Sequence, residues 1–359
     1  MTLQTIFILI LLLVGITVIL SFVDVMLGGS RQMLLTINKD TALPASGGGT
    51  LLDALSQNKI FIPSACGGKG TCGHCKVKVD SGGGDIISLE ENFLNRKEKE
   101  EGVRLACQVK VREDLHISMP EDLLEAKEYM AEVAALEELN YDTKFLRLKL
   151  LSPKTINFKP GQYVQILVPG YEEYRAYSIA SPPSQKDMLE FVIRHIRKGL
   201  CTTFIHKALR VGDIIKFTGP YGDFYLQENS KRDKIFLSRN TGIAPIRSIV
   251  MHLKEQGMPT EARSYYSGRT KNDILLGEEL SKIEEEHDNF KCYVVLSKPT
   301  PDDKWEGETG YITDTVPKFE ESLDDKEYYL CGPPEMIDAA MAVLSEKGVP
   351  EEQIFFDKF

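Results

Sequence analysis

Residues 64–75 read Ser-Ala-Cys-Gly-Gly-Lys-Gly-Thr-Cys-Gly-His-Cys, placing Cys66, Cys72 and Cys75 in one glycine-rich loop. A fourth cysteine, Cys107, lies in Leu105-Ala-Cys-Gln108, with 31 residues between it and Cys75. Four thiolates are the ligand set of a [2Fe–2S] cluster, and one established spacing for it is C-x4-C-x2-C with a distant fourth Cys. Here the first gap is one residue longer. Gly67, Gly68, Gly70 and Gly73 separate the ligands, and glycine permits the tight backbone that a wrapped cluster needs. Peptide N–H groups in such a loop can point at the sulfurs and tune the site. The rivals fit less well. Structural zinc usually takes two short Cys-x2-4-Cys knuckles, and a Rieske centre needs two histidines where only His74 is near. Disulfides are the third alternative. The expected chemistry is single-electron transfer.

Working outward, 359 residues predict two to three domains. A net charge of -10 argues against a nucleic-acid surface, which needs a basic footprint. Seven cysteines, four of them assigned to iron, suit a reducing compartment. Residues 6–23, Ile-Phe-Ile-Leu-Ile-Leu-Leu-Leu-Val-Gly-Ile-Thr-Val-Ile-Leu-Ser-Phe-Val, carry no charge. That length reaches the lower limit of a spanning helix. No Lys or Arg precedes it, as a cleaved leader would require, so a retained single-pass anchor is expected. Arg31 and Lys39 follow the span, which keeps the bulk of the chain cytoplasmic.

Three rhythms follow the anchor. Short strands (Met33–Ile37, Lys76–Val79), a helix from Leu51 and a charged stretch from Glu90 to Glu101, expected to be solvated, fit a small ferredoxin module ending near Pro120. Then Phe145–Leu150, Tyr163–Val168, Leu189–Ile193 and Ile214–Phe217 alternate as strands between Pro and Gly, which suggests an antiparallel barrel. After Lys231 strands alternate with helices, which implies a parallel sheet binding nucleotide at its carboxyl ends. Met336, Ala339, Ala340 and Val343 are expected to line the face of a helix opened by Pro333-Pro334. The expected architecture is a transmembrane anchor (1–30), an α+β β-grasp ferredoxin-type domain (31–122), an antiparallel β-barrel (128–228) and an α/β parallel-sheet domain (231–359).

Arg175-Ala-Tyr-Ser178 follows a barrel strand, preceded by Phe158-Lys-Pro-Gly-Gln-Tyr163 and followed by Gly199-Leu-Cys-Thr202 and Gly219-Pro-Tyr-Gly-Asp-Phe224. Alone the first motif is weak; its neighbours strengthen it. The barrel and sheet resemble the ferredoxin–NADP reductase superfamily. The whole order of modules resembles the family of F subunits of Na+-translocating NADH:quinone oxidoreductases, on the cysteine loop, Arg104–Val109, Arg175–Ser178, Gly219–Phe224, Thr241–Ser248 and Tyr328–Met336. That resemblance implies FAD, NADH and a [2Fe–2S] cluster as cofactors, and other membrane subunits of a respiratory complex as partners. It implies that Arg175 binds the FAD pyrophosphate, Tyr177 stacks on the isoalloxazine and Ser178 bonds near N5. Gly199 and Thr202 would make a second phosphate contact, and the terminal Phe359 would shield the flavin. Thr241, Gly242, Ala244 and Pro245 would receive the pyridine nucleotide. Cys331, Gly332 and Pro333 would face the nicotinamide near the hydride path.

Two departures stand out. Ser238, Arg239 and Asn240 occupy positions where the family usually has glycines; Arg239 either offers its charge to a phosphate or is a surface residue on a remodelled turn. The connection between Val168 and Arg175 is short where the family carries a long insertion. Arg269 and Lys271, where the adenosine ribose is read, bear on 2′-phosphate preference, while the resemblance implies NADH. The reading is an NADH dehydrogenase passing electrons from NADH to FAD to the cluster to a membrane partner, probed by two alternatives. One is a reductase component feeding an oxygenase or another acceptor. The other is an anchored electron carrier with a degenerate nucleotide domain.

Overall fold

A computed structural model describes residues 10, 12–17, 32–171, 173–320 and 322–359. Of the expected anchor only residues 10 and 12–17 are among those described, and no helix of the described residues is long and apolar enough to cross a membrane. The chain divides into two compact units, residues 1–125 and 126–359.

In the first unit, β1 (Gln32–Ile37) and β2 (Thr41–Ser46) form a hairpin, followed by α1 (Leu51–Gln57) and β3 (Lys76–Ser81). Next come α2 (Ser88–Glu91), α3 (Arg96–Glu100), β4 (Val103–Leu105), β5 (Leu115–Ser118) and α4 (Glu121–Glu125). The sheet order is β2-β1-β5-β3-β4, with β1 and β5 parallel and the other pairs antiparallel. Thr50 and Asp53 form a capping box that starts α1, satisfying N–H groups the helix leaves open. Leu51, Ala54 and Leu55 then bury against Leu35, Val77, Leu105 and Leu115. The charged stretch is not simply solvated, contrary to expectation. Glu90 is fully buried and pairs with Arg104 at 2.7 Å, and Arg104 also donates to the carbonyls of Gly83, Gly84 and Asp85. A buried carboxylate needs such a partner, and the pair fastens the 83–90 loop to the strand leading to Cys107.

The second unit opens with β6 (Lys127–Glu138), β7 (Thr143–Ser152), β8 (Tyr163–Leu167), β9 (Tyr174–Ser178), β10 (Met188–Arg194), α5 (Leu200–Lys207) and β11 (Ile214–Tyr221). These strands form an antiparallel sheet in the order β10-β7-β6-β11-β8-β9. The sheet curls on itself: Ala180, just past β9, donates its N–H to the Glu190 carbonyl on β10 at 2.8 Å. Inward residues of the alternating pattern, among them Leu146, Leu148, Val164, Ile166, Phe191 and Phe217, fill the interior.

The remainder is β12 (Asp233–Arg239), α6 (Ile243–Glu255), β13 (Ala262–Gly268), α7 (Gly277–Glu286), β14 (Phe290–Leu296), β15 (Glu308–Thr309), α8 (Ile312–Phe319), β16 (Lys326–Gly332), α9 (Pro334–Glu346) and β17 (Ile354–Lys358). All six strands are parallel, in the order β15-β14-β13-β12-β16-β17. Strands covered on both faces read as apolar runs, which Ile235–Leu237 and Tyr328–Cys331 illustrate. Helix α6 buries Ile246, Ile249, Val250 and Leu253, each contributing about 1.5–3 kcal/mol. Phe145, Ala180 and Val192 of the curled sheet join that same core, so the two halves of this unit share apolar packing. The inner face of α9 is rotated from the expectation. Met336, Ile337, Ala340 and Leu344 are buried, Ala339 is exposed and Val343 only partly covered, because α9 packs on β16 and β17 together.

Candidate functional site

The cysteine loop lies between α1 and β3, with Gly67, Gly68, Gly70 and Gly73 all at φ between 62° and 85°. A side chain at Gly73 would come within 2.5 Å of the Phe93 ring, so both backbone angle and space require glycine. Cys66 and Cys72 sulfurs stand 3.4 Å apart. Cys75 hydrogen-bonds to Cys107, which also accepts from the Gln108 amide at 3.2 Å. The ligands are therefore sorted two and two, the division that two irons bridged by sulfide require. Among the described residues no three such ligands gather round a single metal position.

The surroundings favour thiolates. Burial pulls the Cys66 thiol up, but the Thr71 N–H, the Cys72 thiol, the Thr71 side chain and the Cys72 N–H outweigh it and bring it down to about 7. The Cys75 hydrogen bond, aided by the N–H of Gly70 and the Gln108 amide, brings Cys107 down to about 6. Their partners Cys75 and Cys72 are raised, by the Cys107 hydrogen bond and by burial respectively. Within each pair one thiol is lowered and its partner raised, and a bound metal would displace the protons the pair still holds. His74 is exposed at the loop surface.

Arg175, Tyr177 and Ser178 lie on β9, paired with Ile166, Val164 and Tyr163 of β8. Arg175 contacts Glu173 at 2.7 Å and the Tyr174 carbonyl at 2.7 Å. Tyr177 packs against the interior of the curled sheet and hydrogen-bonds Cys201 of α5. Gly199 caps α5, and a side chain there would meet the Thr202 hydroxyl at 2.5 Å. Thr202 accepts the Ile196 N–H at 3.2 Å, which closes the 196–199 turn over the helix start. Helix starts with free N–H groups favour phosphate.

Thr241 and Gly242 fall in a 3₁₀ turn that leads directly into α6, where Ala244 and Pro245 sit in the first turn. Gly242 packs on the next segment so closely that a side chain would stand 2.1 Å from the Cys331 carbonyl oxygen. Asn240 takes the left-handed conformation at φ 52°, which Asn tolerates better than most residues. The turn is thus formed without the missing glycines. Cys331 is fully buried at the end of β16, followed by Gly332 and by Pro333 as the α9 cap.

One residue escaped the sequence reading. β17 pairs with β16 so that Asp357 lies beside Cys331, and Phe359 donates its N–H to the Gly332 carbonyl at 3.2 Å. Asp357 hydrogen-bonds Ser178 on β9. Ser178, Asp357, Cys331 and Phe359 therefore gather where the curled sheet meets the parallel sheet. Burial raises the Asp357 carboxyl to about 6, against the opposing pull of the Ser178 hydroxyl. Burial and the neighbouring Asp357 raise the Cys331 thiol as well. The short apolar run Ile354-Phe-Phe356 was the available strand signal.

The Asp357 shift has a definite sign. An unfolded Asp loses its proton near 3.8 and the folded one near 6, so the native state holds a proton the unfolded chain has lost. Stability in the second unit is expected to fall as pH rises through that window, by on the order of 1–3 kcal/mol. Melting curves from pH 4 to 7 should show this fall in the wild type and a flatter profile in Asp357→Asn; parallel profiles would refute it.

Residues 35–112 match a 2Fe-2S iron-sulfur cluster binding domain, residues 130–225 an oxidoreductase FAD-binding domain and residues 236–342 an oxidoreductase NAD-binding domain. The chain is 32% identical to the F subunit of the Na(+)-translocating NADH-quinone reductase of Marinomonas sp., over 95% of this chain and 96% of that one. It is also 32% identical to the protein of the same name in Haemophilus ducreyi, over 97% and 96%. Among solved structures, the Amycolatopsis cytochrome P450 reductase GcoB is similar with a TM-score of 0.76 and 28% identity, covering 91% of this chain and 98% of that one. A ferredoxin reductase in carbazole 1,9a-dioxygenase gives 0.71 and 26%, covering 92% and 98%.

Proposed function

This chain belongs to the family of F subunits of the Na(+)-translocating NADH-quinone reductases, and from that premise we propose that it is the NADH-input component of a membrane quinone reductase. Electrons would run from NADH through FAD to the [2Fe–2S] cluster and on to a membrane partner. The observation that carries this reading is the meeting of Ser178, Asp357 and Cys331, which brings the end of the FAD-binding sheet to the carboxyl edge of the NAD-binding sheet. A hydride donor and its acceptor need such shared ground, because transfer requires near-contact. FAD supplies two-electron acceptance with single-electron release, and the cluster takes electrons one at a time.

The residues divide the work. Arg175 would turn from Glu173 to the FAD pyrophosphate, with the N–H groups after Gly199 holding the same group from the other side and Thr202 keeping that turn closed. Tyr177 would lie along the isoalloxazine, and Ser178 would hydrogen-bond near its N5 with Asp357 behind it as a proton reservoir. Phe359, exposed just past the end of β17, would cover the flavin face until nicotinamide arrives. Thr241, Gly242, Ala244 and Pro245 would seat the NADH phosphates, and Cys331, Gly332 and Pro333 would line the nicotinamide. Cys66 with Cys72 would hold one iron and Cys75 with Cys107 the other.

Residues 6–23 would anchor the chain by a single span in a bacterial inner membrane, with the redox domains on the cytoplasmic side. The modules would divide as 1–30, 31–122, 128–228 and 231–359. Removing residues 1–30 is expected to move the protein from the alkaline-washed membrane pellet to the supernatant. Quinone reduction would be lost while NADH oxidation by ferricyanide persists. Retention of the truncated chain in the pellet would count against the anchor. A second reading, a reductase component of an oxygenase system, is favoured by the likeness to the P450 and dioxygenase reductases. It predicts that the truncated chain keeps its physiological acceptor.

A further inference from the structure

A cleft of about 270 Å³ opens at the carboxyl ends of β12, β13 and β14, lined by Arg239, Ser267, Ser297, Tyr311, Glu335 and Met336. Nucleotides bind outside the carboxyl ends of such parallel strands. Arg239 is the last residue of β12 and is half-buried. Its stem lies over the next segment: a side chain on Gly332 would touch the Arg239 Cβ at 3.4 Å. Its guanidinium has no hydrogen-bond or ion-pair partner among the described residues, and Glu335, which also lines the cleft, does not pair with it. Arg247, eight residues on, shows the contrast. It is buried with Glu190 at 2.8 Å and Glu279 at 2.6 Å. A partly desolvated guanidinium left open in a cleft is a ready receptor for a planar, doubly bonded anion.

We propose that Arg239 binds the pyrophosphate of the pyridine dinucleotide, replacing with a side-chain charge the bare backbone cradle that glycines would have formed. Position selects the pyrophosphate over a 2′-phosphate. Arg239 immediately precedes the turn Asn240–Gly242 that opens α6, and phosphate sits at the start of that first helix. A 2′-phosphate is read instead beyond the second strand, where Arg269 and Lys271 stand. The assignment makes Arg239 an affinity-determining residue shared by both dinucleotides, and it rests on the NADH-binding reading above.

Calorimetric titration of the FAD-loaded, cluster-loaded full chain tests it, with NAD+, NADP+ and adenosine as probes, in the wild type and in Arg239→Gln. The expected result is that NAD+ and NADP+ affinities fall together by about 10–100-fold, the range for a charge-assisted hydrogen bond, while adenosine affinity and flavin content stay unchanged. Arg239→Lys should recover part of the loss, because it restores charge without the fork. A fall for NADP+ alone would overturn the proposal by moving Arg239 to the 2′-phosphate. Unchanged affinities for both dinucleotides would overturn it outright. A wild-type chain that binds no NAD+ would instead sink the nucleotide-site reading on which it stands.

Discussion

Cys72→Ser is expected to yield a protein that retains FAD, retains NADH oxidation by ferricyanide, and carries iron only at background level. A serine oxygen is a harder and far more basic ligand than a thiolate, and cluster sites of this kind are built from thiolates. Cys72 is the partner of Cys66 at 3.4 Å, so its loss leaves one iron with a single protein ligand. Changing residues behind metal ligands already lowers affinity or activity about 10–100-fold, so losing a ligand should reduce electron delivery to the natural acceptor by more than about 100-fold. Because the ligands fall into two pairs, Cys107→Ser should behave like Cys72→Ser. Iron analysis and the visible spectrum decide the point. A Cys72→Ser protein with full iron would remove this cysteine from the ligand set.

Arg247→Met is expected to destabilise the second unit by about 3–5 kcal/mol, the usual effect of leaving buried acids without their partner. Arg247 donates to Glu279 at 2.6 and 2.8 Å, to Glu190 at 2.8 Å and to the Ala180 carbonyl at 2.7 Å. Glu190 and Ala180 belong to the curled sheet, whereas Arg247 and Glu279 sit on α6 and α7. The guanidinium therefore ties the FAD-binding half to the NAD-binding half. Arg147 also reaches Glu190, at 2.9 Å, and partly shields it after the substitution. For a unit of this size each kcal/mol lowers the melting temperature by about 2–4 °C, so a drop of roughly 6–20 °C is expected. Flavin release on heating gives the readout. A melting temperature within a degree of wild type would show that this network does not hold the halves together.

The parts of the molecule legible in the sequence are those governed by neighbours in the chain. The loop 64–75 shows itself because its cysteines and glycines act within one turn. Alternation exposes β7, β8, β10 and β11, and the apolar runs expose β12 and β16, because burial on one or both faces leaves its mark locally. What stayed hidden depends on contacts between distant residues. Glu90 read as surface because its partner Arg104 lies 14 residues further on. The buried face of α9 differs from the sequence expectation because two strands, not one, lie beneath it. Asp357 acquires its place only when β17 adds to the sheet edge beside Cys331, and a five-residue strand with one apolar cluster carries little signal alone. Arg239 stands out in the sequence as a departure, but only the fold shows it open to the cleft with no partner among the described residues.

Electrons are proposed to pass within one chain from NADH through its flavin to its cluster. Anaerobic rapid mixing of the fully loaded protein with NADH, followed at flavin and cluster absorbance, tests it most directly. The flavin is expected to bleach first and the cluster second in the wild type, and the flavin alone in Cys72→Ser. A wild-type cluster that stays oxidised while the flavin is fully reduced would contradict it.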